Sequence, residues 1–86
     1  MYKVVFSKQA QKDAKKIAST GLKQKVLKLI EILKKNPYQN YPLYEKLLGN
    51  LSGFYSRRIN IQHRLVYEIY EETKTVKILR MWTHYE

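Results

Sequence analysis

Apolar residues change period along the chain, and the changes divide it into a strand, two helices and a run of strands. Tyr2-Lys3-Val4-Val5-Phe6 predicts a short first strand. Ser7 follows it as an N-cap, because its hydroxyl can accept an orphan backbone N–H at a helix start. Ala10, Ala14 and Ile17 then recur at helical spacing with Lys8, Lys12, Lys15 and Lys16 on the solvent side, as far as Ser19-Thr20-Gly21, where glycine is the expected C-terminal cap. Leu22, Val26, Leu29, Ile30 and Leu33 make a cleaner stripe, which Asn36-Pro37 ends because proline drives the residue before it out of the helical region. Two amphipathic helices joined this tightly predict a helical hairpin lying on a sheet.

Pro37 to Gly49 reads as a tyrosine-rich loop carrying Tyr38, Tyr41 and Tyr44 and ending in Glu45-Lys46-Leu47-Leu48. Ser52-Gly53 is a turn signal, and the aromatic and β-branched run after it reads as a strand that returns at once through Asn60 to Gln62. That connection is too short for a crossover helix, so the pair is an antiparallel hairpin. Alternation puts Phe54, Ser56, Arg58 and Asn60 on one face and Tyr55, Arg57, Ile59 and Ile61 on the other, with Ile59 and Ile61 toward the core. In the return strand Leu65, Tyr67 and Ile69 are the expected buried set, which sends Arg64 and Val66 outward with Arg58. A polar turn, Glu71-Glu72-Thr73-Lys74, leads to a last strand from Thr75 to about Thr83. The expected architecture is α+β: an N-terminal strand and a two-helix hairpin packed on an antiparallel sheet completed by a C-terminal three-stranded meander, with one sheet face free for a ligand.

With 86 residues and no low-complexity tract, residues 1–86 form one domain with one small core. The absence of cysteine excludes disulfides, thiolate zinc sites and cysteine nucleophiles, and two histidines with few carboxylates argue against a metal cage. No apolar run approaches the length of a membrane span and no signal-peptide core opens the chain, so a soluble, cytoplasmic protein is expected. Lysine plus arginine number 17 against 7 acids, a net charge of +10 that calls for a polyanionic partner, nucleic acid or acidic protein. Ten of the thirteen lysines precede Asn36, whereas Arg57, Arg58, Arg64 and Arg80 all lie in the second half. The lysines read as a solubilising coat and the arginines as placed groups.

Arg58 and Arg64 converge on the open sheet face, and a guanidinium fork suits a phosphate better than a lysine point charge does. Glu45 leads directly into this hairpin: it is either a structural ion-pair partner or a general base beside a substrate-holding cationic cluster. His84 extends the strand next to the hairpin, where Glu86 favours its imidazolium form, the form a general acid starts from. A carboxylate, an imidazolium and paired arginines suffice for RNA cleavage by its own 2′-hydroxyl: base, phosphorane-stabilising cations and acid, with no cofactor. Tyr85, Trp82 or a loop tyrosine could stack on an unpaired base, although aromatics at such positions more often pack. His63 has the parity of Leu65 and Tyr67 and reads as a structural or turn residue. Arg57 reads as a surface or interface residue, and Arg80 as a weaker RNA contact.

Three stretches, Asn50-Leu51-Ser52-Gly53-Phe54-Tyr55-Ser56-Arg57-Arg58-Ile59, His63-Arg64-Leu65-Val66-Tyr67 and His84-Tyr85, resemble the YoeB (Txe/YoeB) toxins of the RelE superfamily, and the resemblance covers essentially the whole chain. It implies a RelE-like fold and a metal-independent mRNA interferase that cuts mRNA in the ribosomal A site, leaving a 2′,3′-cyclic phosphate and a 5′-hydroxyl. In that comparison Glu45 falls on the general base, His84 on the general acid, Arg64 on the transition-state arginine, Arg58 on a substrate-binding arginine and Tyr85 on a terminal RNA-positioning tyrosine. A family lysine falls on Leu48, so Lys46 either substitutes from a shifted position or the contact is absent. The resemblance also implies a YefM/Phd-type antitoxin with an acidic C-terminal segment, and homodimers. Two rivals stand beside it: a non-catalytic basic module that binds RNA or an antitoxin, and an inactive interaction protein in which Arg58, Arg64 and Glu45 only stitch the sheet together.

Overall fold

Ser7 separates the first strand from the first helix and ties both to the far end of the chain. Its hydroxyl accepts the Ala10 N–H at 3.0 Å and donates to the Leu79 carbonyl oxygen at 2.7 Å, while its N–H donates to the Ile78 carbonyl oxygen. The computed structural model describes residues 1–41, 43–47 and 53–82. Its elements are β1 (Lys3–Phe6), α1 (Lys8–Ala18), α2 (Lys23–Lys35), β2 (Tyr44–Lys46), β3 (Phe54–Arg58), β4 (Arg64–Tyr70) and β5 (Thr75–Arg80).

The strands form one sheet in the order β1-β5-β4-β3-β2. Pairings β2–β3, β3–β4 and β4–β5 are antiparallel, and β1 lies parallel to β5 with Val4 opposite Val76. The α+β class is therefore as expected, but the sheet is mixed. A parallel pair needs a long crossover, and here the chain between β1 and β5 includes both helices and every other strand. Tyr44–Lys46, expected as loop, is an edge strand: three residues whose side chains alternate against β3 but are too few to register as a pattern in the sequence.

Both helices cover one sheet face. Ala10 and Ile17 of α1 and Val26, Leu29 and Leu33 of α2 pack with Leu65, Tyr67, Val76 and Ile78 in the buried core. Hydroxyls end α1 where glycine was expected to: Ser19 occupies the C-cap, the Ser19 and Thr20 hydroxyls donate to the carbonyls of Lys16 and Ile17, and Thr20 Oγ1 accepts the Leu22 N–H. The carboxylate of Asp13, buried on the same helix, accepts the Met81 and Trp82 N–H groups at 2.9 and 3.2 Å and the Gln9 amide at 2.9 Å, fixing the end of β5 to α1.

The β3–β4 hairpin has the predicted parity up to Arg58. Beyond it the chain turns: the Ile59 N–H donates to the His63 carbonyl, and the Asn60 side-chain oxygen accepts the N–H groups of Gln62 and His63. Ile59 is buried, but strand alternation has ended before Ile61, which is 93% exposed instead of reaching the core. Gly53 opens β3 with φ +94°, a conformation that favours glycine and matches the turn predicted there.

Candidate active site

The face opposite the helices collects the charged residues. Register places Glu45, Ser56, Val66 and Arg80 in one row across β2, β3, β4 and β5, and puts Arg58 directly opposite Arg64 two residues along β3. Directly opposed residues share a sheet face. Glu45 Oε1 accepts from Arg64 Nη1 at 2.8 Å. Their strands are separated by β3, so the ion pair spans about 10 Å of sheet from two sides and crosses above β3 at Ser56 and Arg58.

Beside this bridge lies an open hollow of about 620 Å³, lined by Tyr41, Tyr44, Glu45, Ser56, Arg58 and Arg64 among others. A second hollow of about 400 Å³, bordered by Leu47 and Ile61, shares Glu45, Ser56 and Arg64 with it. Glu45 is well exposed, with 63% of its side chain accessible, whereas Arg64 is recessed at 23%. Ser56 is buried, and its Oγ makes no hydrogen bond among the described residues.

The sequence-predicted residues thus divide into three groups. Glu45, Arg58 and Arg64 line one hollow. Lys46 does not join them: it is opposite Tyr55, so strand alternation turns it to the other face from its neighbour Glu45. His84 and Tyr85, together with Leu48, lie outside the described residues.

Arg57 corrects the expectation of a surface or interface residue. It is 1% exposed, and its guanidinium donates to the Tyr67 hydroxyl at 3.0 Å and to the carbonyl oxygens of Pro37 and Gln39 at 2.9 and 2.7 Å. It also lies 5.0 Å from the centre of the Tyr44 ring, a cation–π distance. This one side chain therefore ties the segment after α2 to the sheet and packs under the strand that presents Glu45. Burial pushes the Tyr67 phenol up to about 12, with Arg57 acting in the opposite direction.

His63 is buried and stacked on Trp82, ring centres 4.0 Å apart, in keeping with a structural role. Val66 shares the face of Arg58 and Arg64 as predicted, yet is only 7% exposed. Sequence reasoning missed Ser56 and Asp13. The parity that placed Arg58 also placed Ser56 on the open face, and that was the available signal; nothing in the local pattern marks Asp13. Among the described residues no group of three or more histidine, aspartate or glutamate side chains could hold a metal, and no helix is long and apolar enough to cross a membrane.

Two helices on one face of a five-stranded mixed sheet, with arginines and a carboxylate on the other, make up the RelE-like α+β fold. A family profile described as YoeB-like toxin of bacterial type II toxin-antitoxin system matches residues 6–85. The chain belongs to that family, and is a toxin of the YoeB type. It is 40% identical over 58 residues to Toxin YoeB of Synechocystis sp., a match spanning 67% of this chain and 65% of that relative. Among solved structures it is similar to a YoeB/ParE toxin from Agrobacterium tumefaciens, with TM-score 0.87, 27% identity and coverage of 96% and 99% of the two chains. The YoeB-YefM toxin-antitoxin complex from Staphylococcus aureus matches at TM-score 0.83 and 34% identity, covering 99% of each chain. A YoeB dimer from the same organism matches at TM-score 0.78 and 33% identity, covering 98% of each.

Proposed function

We propose that this toxin is a ribosome-dependent endoribonuclease that inhibits translation by cutting mRNA in the ribosomal A site, without a metal. The supporting observation is the meeting of Glu45, Arg58 and Arg64 around one open hollow. A backbone phosphate entering the hollow takes Arg64 into a bidentate contact through its two non-bridging oxygens and displaces Glu45, which meets Arg64 through Oε1 and Nη1 at 2.8 Å. The phosphodiester carries one negative charge, as the carboxylate does, but gains a second as the phosphorane forms. The freed Glu45 carboxylate removes the proton from the neighbouring 2′-hydroxyl. The 2′-oxygen attacks phosphorus, Arg58 and Arg64 stabilise the crowded phosphorane, and His84 gives its proton to the departing 5′-oxygen. The products are a 2′,3′-cyclic phosphate and a 5′-hydroxyl, with Tyr85 stacking on a base next to the cut. Lys46, on the other face, has no part in this scheme.

An antitoxin of the YefM/Phd type is the proposed regulator, its acidic segment competing with RNA for the same cations; a homodimer and a cytoplasmic location complete the reading.

The rival in which the ion pair only stitches the sheet finds little support in its energetics. With Glu45 this exposed, the pair contributes about 0–1 kcal/mol. The deciding experiment compares wild type with Glu45→Gln on a defined mRNA, both on stalled ribosomes and as naked RNA in EDTA. Expected are cyclic-phosphate ends from wild type on ribosomes, a fall of about 100-fold or more in the variant, and an unfolding free energy within about 1 kcal/mol of wild type. Folded wild-type protein that cleaves under neither condition rejects the enzyme reading.

A further inference from the structure

Among the described residues, the Ser56 hydroxyl is the buried side-chain polar atom left without a hydrogen-bond partner. An orphaned donor in a folded chain is a cost that alanine would remove at once, so its position needs a reason. Ser56 sits opposite Glu45 on one side and Val66 on the other, on the same face as Arg58 two residues along β3, and borders both hollows. The Glu45–Arg64 bridge passes over β3 at this point. When a phosphate takes Arg64, the bridge parts, and Ser56 becomes the floor of the hollow between the base and the two guanidiniums.

We propose that Ser56 is a substrate-contacting residue whose hydroxyl donates a hydrogen bond to a non-bridging oxygen of the scissile phosphate. The inference rests on the RNA-cleaving reading above and adds a residue to it. Serine suits this place because its single O–H is neutral. A third cation beside Glu45 would hold the carboxylate in its ionised form too firmly for it to accept a proton. A neutral donor instead strengthens as charge gathers on the phosphorane oxygen, which favours the transition state over the bound substrate. The absence of a partner among the described residues fits a donor kept for the substrate.

The test is single-turnover cleavage on stalled ribosomes by wild type and Ser56→Ala, using mRNA with a normal phosphate or an Rp or Sp phosphorothioate at the cut position. Ser56→Ala is expected to slow cleavage of the normal substrate about 10- to 100-fold. The sulfur isomer that further slows wild type should slow the variant little or not at all, because the hydrogen bond it disrupts is already gone. The variant's melting temperature should be equal to or above that of wild type, since the hydroxyl has no partner among the described residues to lose. Wild-type rates for Ser56→Ala, or an undiminished sulfur effect in it, overturn the assignment, as does a lowered melting temperature. If folded wild type cleaves none of these substrates, the nuclease reading falls and this inference with it; wild-type cleavage with an unaffected variant removes Ser56 alone.

Discussion

Arg57 and Arg58 are neighbours with opposite environments, one 1% exposed and the other in the open hollow. Strand alternation predicts that they part company, and it identified Arg58 and Arg64 as a pair. It does not reveal which face is roofed at the hairpin. The roof over Arg57 consists of the carbonyls of Pro37 and Gln39, some twenty residues earlier in the chain, and no local pattern anticipates that contact. Arg57→Ala is expected to lower the unfolding free energy by about 2–4 kcal/mol, since it leaves buried acceptors unsatisfied. Urea denaturation with an unchanged m-value would register this. Arg57→Lys should restore little of it, because a point charge cannot replace a fork that reaches the Tyr67, Pro37 and Gln39 oxygens in different directions. Asp13 was illegible for the same reason: its partners are backbone N–H groups at residues 81 and 82, and a lone acid on a lysine-rich helix resembles a surface residue until the far strand is in place.

At the level of elements, both helices and the hairpin were readable because each carries a full period of apolar positions, whereas three-residue β2 and the direction of β1 were not. Alternation says that a segment is a strand but not which neighbour it takes or how it runs. The β4–β5 turn carries a further tie that the sequence showed only as a polar run. Glu71 accepts hydrogen bonds from Lys74, from Tyr38 after α2 and from Tyr2 beside β1. These hydrogen bonds, with Lys74 first, lower its carboxyl from an ordinary 4.5 to about 2. A carboxyl lowered on folding stabilises the native state fully above its ordinary value and loses that contribution as pH falls toward the folded one. Wild type should therefore lose stability more steeply than Glu71→Gln between about pH 4.5 and 2, as followed by thermal melts across that window.

For the molecule as a whole, the +10 charge was legible from composition, and the α+β layering from the order of the elements. The sequence could not say how a polyanion would be shared between the lysines of the helices and the arginines of the far face. If RNA phosphates sit on Arg58 and Arg64, binding must weaken with salt, and Arg58→Ala should reduce the slope of log K against log salt by about 0.7 for a single strand. Fluorescence anisotropy with a labelled oligonucleotide between 50 and 200 mM salt gives that slope; an equal slope for both proteins would place the RNA elsewhere. The pairing of β1 with β5 also has a temporal consequence. β5 lies between β1 and β4, so the first strand emerging during synthesis has no neighbour until residues 75–78 are made. Every shorter nascent chain lacks the strand that joins β1 to β4, although β2, β3 and β4, which carry Glu45, Arg58 and Arg64, can already pair. Closure of the fold thus waits on β5, the strand through which β1 and the first helix reach the β2–β4 meander.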